Sequence, residues 1–556
     1  MSLAKFSLRQ FVKADWRLGW LVATLLLYSA LAGYQLGLPG LHYDEAREAG
    51  LNAMELLTGA PLSAFGGSAL ALGGRSLPLM VQNYIGALNV YLALPLLWLT
   101  GIGVPNLRAL AIVTGLVALL LLERAVSEWW RWHTEAHPNW SRHTPLSTAG
   151  LIALTLLAAS PTFVFWSRQG IFVTNLTQPF TFWSLWQGVR WLRTGNGRAL
   201  WWSALAGGCA LYAKLLALWV IAPFTVALLG TWAWRRHRGQ PAARLSPLLL
   251  VSVVSAFFLP LLPLLLFNLQ TAGTVGVLTS NLKTSYYGVN NQAVWANLLI
   301  RSRQLGQVLM GNHLWYLGGL YANPLAPWLA GVLLLTGLAR GWRLVAPPLL
   351  LLLAAFVCSL VTISDLFITH YALLQPLLIG VIALALAAMM KTLGPAKVGR
   401  LAAVAVVLLW LGFDLSATVR YHAALTRTGG LADHSDASYH LAYYLRYHGL
   451  GAPLALDWGF DATVRYLSVG TVTPIELFGY DSPTAPDPEF AQRLRLFLTN
   501  PDNVYLLHTP SATAFQGRRE RFLQEVTSLG LKAQLETQFS QRDGTPLIEL
   551  WRAAPP

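Results

Sequence analysis

Long apolar runs separated by short polar segments fill the chain up to about residue 419. Runs such as "LGWLVATLLLYSALAGYQLG" and "LLLVSVVSAFFLPLLPLLLF" reach the roughly 20 residues that a helix needs to cross about 30 Å of hydrocarbon. The pattern therefore predicts a polytopic helical membrane protein with eleven spans. We expect these spans near residues 17–37, 106–123, 148–167, 174–189, 200–213, 217–234, 247–268, 323–339, 344–363, 372–390 and 401–417.

The remaining chain, residues 420–556, has mixed polarity and no run that is long enough to cross a membrane. "APLALDW" and "NVYLLH" predict short buried strands, and "KAQLETQF" and "TPLIELW" predict closing strands. "DPEFAQRLRLFLTN" and "FQGRRERFLQEVTSLG" predict amphipathic helices. We therefore expect two domains, a transmembrane domain over 1–419 and a soluble α/β domain over 420–556.

Composition supports membrane insertion and argues against nucleic-acid binding. Hydrophobic residues make up 55% of the 556 positions and charged residues only 11%, which is far more apolar than a soluble core requires. No cleavage site follows the first apolar run, so we expect it to remain as an anchor. The net charge of +15 is spread over short loops instead of lining one face, so a nucleic-acid partner is not expected.

The basic residues favour one orientation in the bilayer. If the N-terminus is cytoplasmic, the eleven spans place nineteen Lys and Arg in cytoplasmic segments and eight in the opposite loops up to residue 419. This asymmetry is the positive-inside bias of membrane proteins. It predicts a cell-membrane protein with a cytoplasmic N-terminus and an external, periplasmic or extracellular, C-terminal domain.

Residues 77–101 form a further run that is apolar enough to span. A crossing there would reverse every later loop and move fifteen basic residues to the outside. We therefore expect helices that lie along or dip into the outer interface, with a crossing as the alternative. The first external loop then covers residues 38–105.

Ionisable residues near the span ends fall on the external side of the predicted topology. Asp44, Glu45 and Arg47 follow the first span, and ionisable groups near hydrocarbon are costly unless they are paired or hydrated. A shared external cavity would account for them, with carboxylates acting as base or metal ligand and cations holding a phosphate. The other members of this set are Arg75, Arg168, Lys214, Asp365, His370 and Tyr371.

Structural explanations for the same residues stay open. Asp44 and Glu45 also suit the N-terminus of the helix predicted for "EAREAGLNAMELL", where the helix dipole favours negative charge. Arg75 and Arg168 are also candidates for interfacial anchors, and Lys214 for a snorkelling side chain. The ring pair of His370 and Tyr371 fits a membrane interface as well as a site.

Six short motifs in this order resemble one family. They are "HYDEAR", "GGRSLPLMVQNYIGAL", "VPNLRALAIVTGLVALLLL", "ASPTFVFWSRQG", "GGCALYAKLLAL" and "THYALLQPLLIGVIAL". Over about residues 17–390 the chain resembles the polyprenyl-phosphate-dependent glycosyltransferases of the GT-C fold. It is most similar to the dolichyl-phosphate-mannose protein mannosyltransferases and the bacterial lipid A aminoarabinose transferase.

The resemblance implies roles for the candidate residues. Asp44 takes the catalytic role, as base or as part of a metal site, and Glu45 supports it. Many relatives carry a second acidic residue shortly after the Ser-Arg pair, whereas "QGIFVTN" has none. This departure leaves the divalent metal an open question, with Asp365 as the substitute ligand. The phosphate-binding candidates are Arg47, Arg75 and Lys214, followed by Arg168, His370 and Tyr371.

The resemblance also implies a reaction. We expect transfer of a sugar from a polyprenyl-phosphate donor to a hydroxyl of a protein, lipid or glycan acceptor, with inversion at the anomeric carbon. The sequence contains no Walker loop or dinucleotide fingerprint, and an external site requires a donor that carries its own lipid.

Two alternatives belong to other classes. A transporter or flippase of a lipid-linked or anionic substrate would also need external cations, but transporters place their binding groups near the midplane. The C-terminal domain could instead be the working part, with the spans as its anchor.

Overall fold

The computed structural model describes residues 16–134, 146–169, 174–392 and 397–555. Helices account for most of the chain up to residue 428. They are α1 (Trp16–Gly33), α2 (Tyr43–Glu45), α3 (Leu51–Thr58), α4 (Leu88–Thr100), α5 (Val104–Thr134), α6 (Thr148–Ala159), α7 (Pro161–Gln169), α8 (Thr174–Thr194), α9 (Gly197–Ala213), α10 (Leu218–His237), α11 (Pro247–Phe258), α12 (Leu262–Thr271), α13 (Gly273–Ser280), α14 (Val294–Met310), α15 (Ala326–Cys358), α16 (Leu374–Thr392) and α17 (Lys397–Thr428).

Within the described ranges, seven helices are long and apolar enough to cross a membrane. The pair α6 and α7, bent by 70°, adds an eighth if it counts as one crossing. The polytopic helical architecture is therefore confirmed. The eleven predicted segments all fall mainly on helix, but eleven crossings and the cytoplasmic N-terminus stay predictions. The basic positions 5, 9, 13 and 142, on which part of the orientation argument rests, lie outside the described residues.

The two spans predicted at 323–339 and 344–363 correspond to the single 33-residue segment α15. Its backbone breaks at Gly341, where φ is −157° and ψ is 47°. The first half packs on α16, because Gly337 approaches Ala385 closely, and the second half contacts the turn before α16, where the ring of Phe356 stacks on Tyr371 at 6.4 Å. A straight helix of this length would measure about 50 Å, well beyond the hydrocarbon thickness. The break therefore lets α15 fit the bundle as two shorter helices.

The segment 77–101 contains short strands followed by one short helix, whereas helices were expected throughout. The strands β1 (Ala69–Leu72) and β2 (Arg75–Pro78) form an antiparallel hairpin, as do β3 (Met80–Gln82) and β4 (Ile85–Gly86). The helix α4 that follows has 13 residues and contains a proline. At about 20 Å it is too short to cross the hydrocarbon core.

The C-terminal part of the chain is an α/β domain, as predicted. Its helices are α18 (Ala437–Tyr447), α19 (Asp461–Leu467), α20 (Phe490–Leu498) and α21 (Arg518–Ser528). Its strands are β5 (Leu454–Ala455), β6 (Ile475–Glu476), β7 (Val504–His508), β8 (Lys532–Ser540) and β9 (Pro546–Ala554). The predicted boundary at residue 420 falls inside α17, which continues to Thr428.

The sheet of this domain is mixed, with the strand order β6-β5-β7-β9-β8. Strand β5 is parallel to β6 and β7, whereas β9 is antiparallel to β7 and β8. In sheets of this kind, ligands bind at the carboxyl ends of the parallel strands. Here that edge faces the first loop, because Trp458, just after β5, contacts Tyr43.

The C-terminal domain packs directly on the first loop. The Arg465 guanidinium lies 2.6 Å from the buried carboxylate of Glu55. The Tyr439 hydroxyl donates a hydrogen bond to the Gly37 carbonyl at 2.8 Å. Gly40 meets the backbone carbonyl of Ser435 so closely that a Cβ would not fit there. The first loop is therefore held between the helical bundle and the domain.

Candidate active site

Asp44 lies at the start of the short helix α2, directly after the loop that follows α1. His42 caps this helix, since its Nδ1 accepts a hydrogen bond from the Asp44 backbone N–H at 3.1 Å. The Asp44 carboxylate lies 3.9 Å from the same nitrogen, and 26% of the Asp44 side chain is exposed.

The electrostatic surroundings of Asp44 suit a proton acceptor. Burial raises the pKa of the Asp44 carboxyl; the charges of His42 and Lys214 lower this pKa, and that of Asp433 raises it. Burial is the largest of these effects, so the pKa lies above its ordinary value. A carboxylate with a raised pKa is a stronger base than an ordinary surface carboxylate.

Lys214 occupies a break between two helices. It adopts an extended conformation with φ of −160° after α9 ends at Ala213. The break is joined to the β3–β4 hairpin, because the Leu215 N–H donates to the Tyr84 carbonyl at 3.1 Å. Gly86 lies against the Tyr212 carbonyl, where a Cβ would overlap it. The first loop therefore fixes both Asp44 and the backbone around Lys214.

Lys214 is only 5% exposed, and its ammonium faces negative charge. Glu48 and Asp44 are the carboxylates that interact with it, and its Nζ lies 6.0 Å from the centre of the Tyr84 ring. His370 also lies within electrostatic range of Lys214. Lys214 thus interacts with Asp44 and with His370, both predicted from the sequence, and the carboxylates of Asp44 and Glu48 supply the opposite charge that a buried lysine requires.

Arg301 extends this group of residues. Its guanidinium lies over the rings of Trp219 at 5.6 Å and Tyr371 at 5.2 Å, and it interacts electrostatically with His370 and Asp365. Within the described part of the chain, Arg301 Nη2 and His370 Nδ1 are buried without a hydrogen-bond partner. Unpaired buried donors are costly, so the arrangement suits a bound anion. We call Asp44, Glu48, Lys214, Arg301 and His370 the Lys214 cluster.

Glu45 and Arg168 shape the loop that carries Asp44. Glu45 accepts hydrogen bonds from Arg108 Nε at 2.6 Å and Nη2 at 2.9 Å. Arg168 donates to the carbonyls of Gln35 at 2.7 Å and Leu38 at 3.1 Å. The contacts described for Glu45 and Arg168 are with the first loop and with Arg108, and none of them is with Lys214.

Arg47 and Arg75 also lie apart from Lys214 in their described contacts. Arg47 Nη1 donates to Ser63 Oγ at 3.4 Å, beside the C-terminal domain. Arg75 is exposed near the tip of the β1–β2 hairpin and lines a cleft of about 680 Å³ together with Glu55 and Ser63. The cations proposed from the sequence are therefore distributed over more than one place.

Sequence reasoning left Glu48, Tyr84 and Arg301 out of the candidate set. Glu48 follows Asp44 by four residues, which places both on one face of a helix, and this spacing was a usable signal. Arg301 stands in the amphipathic segment "VWANLLIRSRQLGQVLM", where its burial was not apparent. Tyr84 lies in the segment 77–101, which the sequence places at the outer interface.

The described side chains offer few ligands for a divalent metal ion. Among the described residues, no group of three or more His, Cys, Asp or Glu side chains could hold a metal ion. Asp44 and Asp365 both interact electrostatically with Tyr287, but this pair alone is not such a group. The divalent ion therefore stays a prediction, and no step below depends on it.

Comparison with known proteins identifies the fold. No protein-family model and no curated protein sequence matches the chain. The chain has a GT-C fold, as its structure is similar to ArnT from Cupriavidus metallidurans, the lipid A aminoarabinose transferase. The ArnT structure bound to undecaprenyl phosphate has 12% identity and a TM-score of 0.56, covering 97% of this chain and 98% of ArnT. The apo ArnT structure has 12% identity and a TM-score of 0.58, covering 96% and 98%.

These similarities confirm the GT-C architecture expected from the six motifs. The chain is a multi-pass membrane protein with this fold and a C-terminal α/β domain. At 12% identity the comparison establishes the fold, while the activity has to be argued from the site.

Proposed function

We propose that this protein transfers a sugar from a polyprenyl-phosphate donor to an acceptor hydroxyl at the outer face of the membrane. The observation that carries the proposal is the interaction of the partly exposed Asp44 carboxylate with the buried Lys214 ammonium in one cluster. The fold adds support, because an ArnT structure with this fold is bound to undecaprenyl phosphate.

The donor phosphate would bind at the cationic side of the Lys214 cluster. Lys214 and Arg301 supply positive charge, and Arg301 Nη2 and His370 Nδ1 have unused hydrogen-bonding capacity. Tyr371 stacks against Arg301 and orients its guanidinium. Arg47, Arg75 and Arg168 remain candidates, although their described contacts are with the loop and the C-terminal domain.

The transfer step follows from these positions. Asp44 accepts the proton of the acceptor hydroxyl, and the hydroxyl oxygen forms a bond to the anomeric carbon. The bond between that carbon and the phosphate oxygen breaks, and the lipid phosphate leaves with the electron pair. Displacement from the opposite face inverts the carbon. Base assistance contributes about 10²- to 10⁴-fold, and positioning and charge stabilisation supply the rest.

A transporter or flippase is the second candidate, and one observation favours it. Lys214 lies at a break between two helices, and broken helices often hold substrate in transporters. The two functions differ in outcome, since only a transferase cleaves the bond between sugar and phosphate.

The test uses the full-length protein in nanodiscs, supplied with a panel of undecaprenyl-phosphate sugars and with neutral oligosaccharides, lipid A and a Ser/Thr-rich peptide as acceptors. Release of undecaprenyl phosphate is measured for wild type, for Asp44→Asn and for Asp502→Asn, whose carboxylate is exposed on the C-terminal domain. We expect Asp44→Asn to lower turnover by at least about 100-fold and Asp502→Asn to leave it unchanged. Near wild-type turnover in a folded Asp44→Asn protein would overturn the assignment. Movement of the intact lipid across the bilayer of sealed proteoliposomes, without cleavage, would favour the flippase.

A further inference from the structure

A second group of polar and aromatic side chains lies between the first loop and the C-terminal domain. Tyr43, the residue before Asp44, packs against Trp458 with ring centres 4.8 Å apart. Asp461, Glu476 and Tyr480 lie beside Tyr43 and interact with it electrostatically. We call Tyr43, Trp458, Asp461, Glu476 and Tyr480 the interdomain cluster. Because Tyr43 and Asp44 are neighbours in α2, this cluster adjoins the Lys214 cluster.

The two carboxylates of the interdomain cluster have few partners of their own. Glu476 accepts hydrogen bonds from the Tyr480 hydroxyl at 3.1 and 3.0 Å. Asp461 lies 3.7 Å from Arg465 Nη1, which is an ion-pair distance and too long for a hydrogen bond. Burial, followed by the charge of Asp461, raises the pKa of Glu476 to about 7. These carboxylates therefore have capacity left to accept hydrogen bonds from a ligand.

The charge at this place disfavours an anionic ligand. Arg465 is held by the buried Glu55 at 2.6 Å, and Arg47 makes its hydrogen bond to Ser63. Three carboxylates, Glu55, Asp461 and Glu476, thus face two guanidinium groups. A phosphate would meet net negative charge, whereas hydroxyl groups donate to carboxylates.

A small cavity next to the interdomain cluster gives a second, independent indication of a ligand. It holds about 30 Å³ and is lined by Tyr43, Trp458, Asp433 and Thr463, among others. Thr463 is only 3% exposed, and its Oγ1 has no hydrogen-bond partner within the described residues. The volume suits one hydroxyl group or one water molecule. The cavity lies at the carboxyl edge of the parallel strands, where α/β sheets bind ligands.

We propose that the interdomain cluster binds the acceptor, and that the acceptor is an uncharged, hydroxyl-rich carbohydrate. Tyr43 and Trp458 supply ring faces for the apolar faces of sugar units, and Asp461 and Glu476 accept hydrogen bonds from sugar hydroxyls. The carbohydrate then presents one hydroxyl to Asp44, the next residue along α2. This inference rests on the proposed function, because it names the acceptor class for the same reaction.

The experiment measures binding to the full-length protein in nanodiscs by saturation-transfer NMR. The probes are neutral hexasaccharides of glucose, mannose and N-acetylglucosamine, with lipid A and a Ser/Thr-rich peptide as competitors. The variants are Glu476→Gln and Tyr480→Ala. Their matched controls are Glu489→Gln and Tyr447→Ala, which change exposed side chains of the same domain. Binding of undecaprenyl phosphate is measured in parallel on every variant.

We expect at least one neutral hexasaccharide to bind the wild type, and to bind Glu476→Gln and Tyr480→Ala about tenfold more weakly. Undecaprenyl phosphate binding should stay unchanged in both variants. The acceptor proposal is overturned if no hexasaccharide binds, if the variants bind it like the controls, or if lipid A or the peptide binds in its place. If the wild type binds a hexasaccharide but does not bind undecaprenyl phosphate, the proposed function is overturned instead.

Discussion

Arg108 and Glu45 form a two-point ion pair, with Nε and Nη2 of the guanidinium 2.6 and 2.9 Å from the two carboxylate oxygens. Both side chains are buried, and they lie 63 positions apart in the sequence. The same guanidinium donates to the carbonyls of Leu36 and Pro39. The first turn of α5 therefore fixes the loop that positions Asp44.

Removing Arg108 should destabilise the protein and misplace Asp44. The variant Arg108→Met leaves the Glu45 carboxylate buried without its partner, which costs about 3–5 kcal/mol in comparable cases. We expect a lower midpoint of thermal unfolding and a loss of transferase activity. The double variant Arg108→Met/Glu45→Gln removes the unpaired charge and should recover part of the stability. Equal stability of Arg108→Met and wild type would contradict this role.

The acidic limb of the pH–rate profile should depend on Lys214. Activity that needs ionised Asp44 falls as the pH drops through the pKa of Asp44, which burial places above the ordinary value of about 3.9. The Lys214 charge lowers that pKa, so Lys214→Met should move the limb of kcat/KM to higher pH. Lys283→Met, at an exposed position, is the matched control. A limb at the same pH in both variants would show that Lys214 does not act on Asp44.

The close contact at Gly86 should matter for the position of Lys214. A Cβ at this residue would overlap the Tyr212 carbonyl, so Gly86→Ala has to push β4 away from the helix break. We expect a loss of about 1–3 kcal/mol in stability and a reduced affinity for undecaprenyl phosphate. Gly276→Ala in α13, where no atom lies within 4 Å of the new Cβ, serves as control. If Gly86→Ala bound undecaprenyl phosphate as tightly as the wild type does, the contact between Gly86 and Tyr212 would not be needed to position Lys214 for the lipid.

Glu476 should make stability depend on pH. Its pKa of about 7 in the folded protein exceeds the ordinary Glu value of about 4.3, so the folded state binds more protons between these values. Stability contributed by this group is therefore complete below about pH 4.3 and is lost as the pH rises to about 7. Glu476→Gln removes this loss of stability and should raise the free energy of unfolding at pH 8 by about 1–2 kcal/mol. This gain is smaller than the full pKa difference implies, because the Glu476 side chain is partly exposed.

Thermal unfolding of the full-length protein at pH 5 and pH 8 measures this effect. Glu489→Gln is the control, because the Glu489 side chain is 80% exposed. A wild type and a Glu476→Gln variant with the same pH dependence would contradict the environment described for Glu476.

Much of the fold was predictable because it follows from local patterns. Apolar runs of about 20 residues become helices in a membrane protein, and β7, α20 and α21 lie where the period of the C-terminal pattern places them. The grouping of Asp44, Lys214 and His370 was predictable from charge asymmetry, which put all three on one side. Burial then explains why they lie close together, since isolated charges near hydrocarbon are costly.

The remaining features depend on long-range contacts that carry no local signal. Nothing near Glu45 in the sequence indicates that Arg108 will neutralise it. Likewise, Arg168 looks like any interfacial cation until its bonds to the Gln35 and Leu38 carbonyls are seen. Such contacts are fixed by tertiary packing and not by periodicity.

The most direct test of the Lys214 cluster as the donor site is a cryo-EM structure of the full-length protein in nanodiscs with undecaprenyl phosphate. Our account predicts phosphate density about 3 Å from Lys214 Nζ, with Arg301 on its other side and the Asp44 carboxylate facing the same space. Phosphate density bound only in the cleft beside Arg75, with Lys214 still facing Glu48 and no lipid nearby, would contradict it.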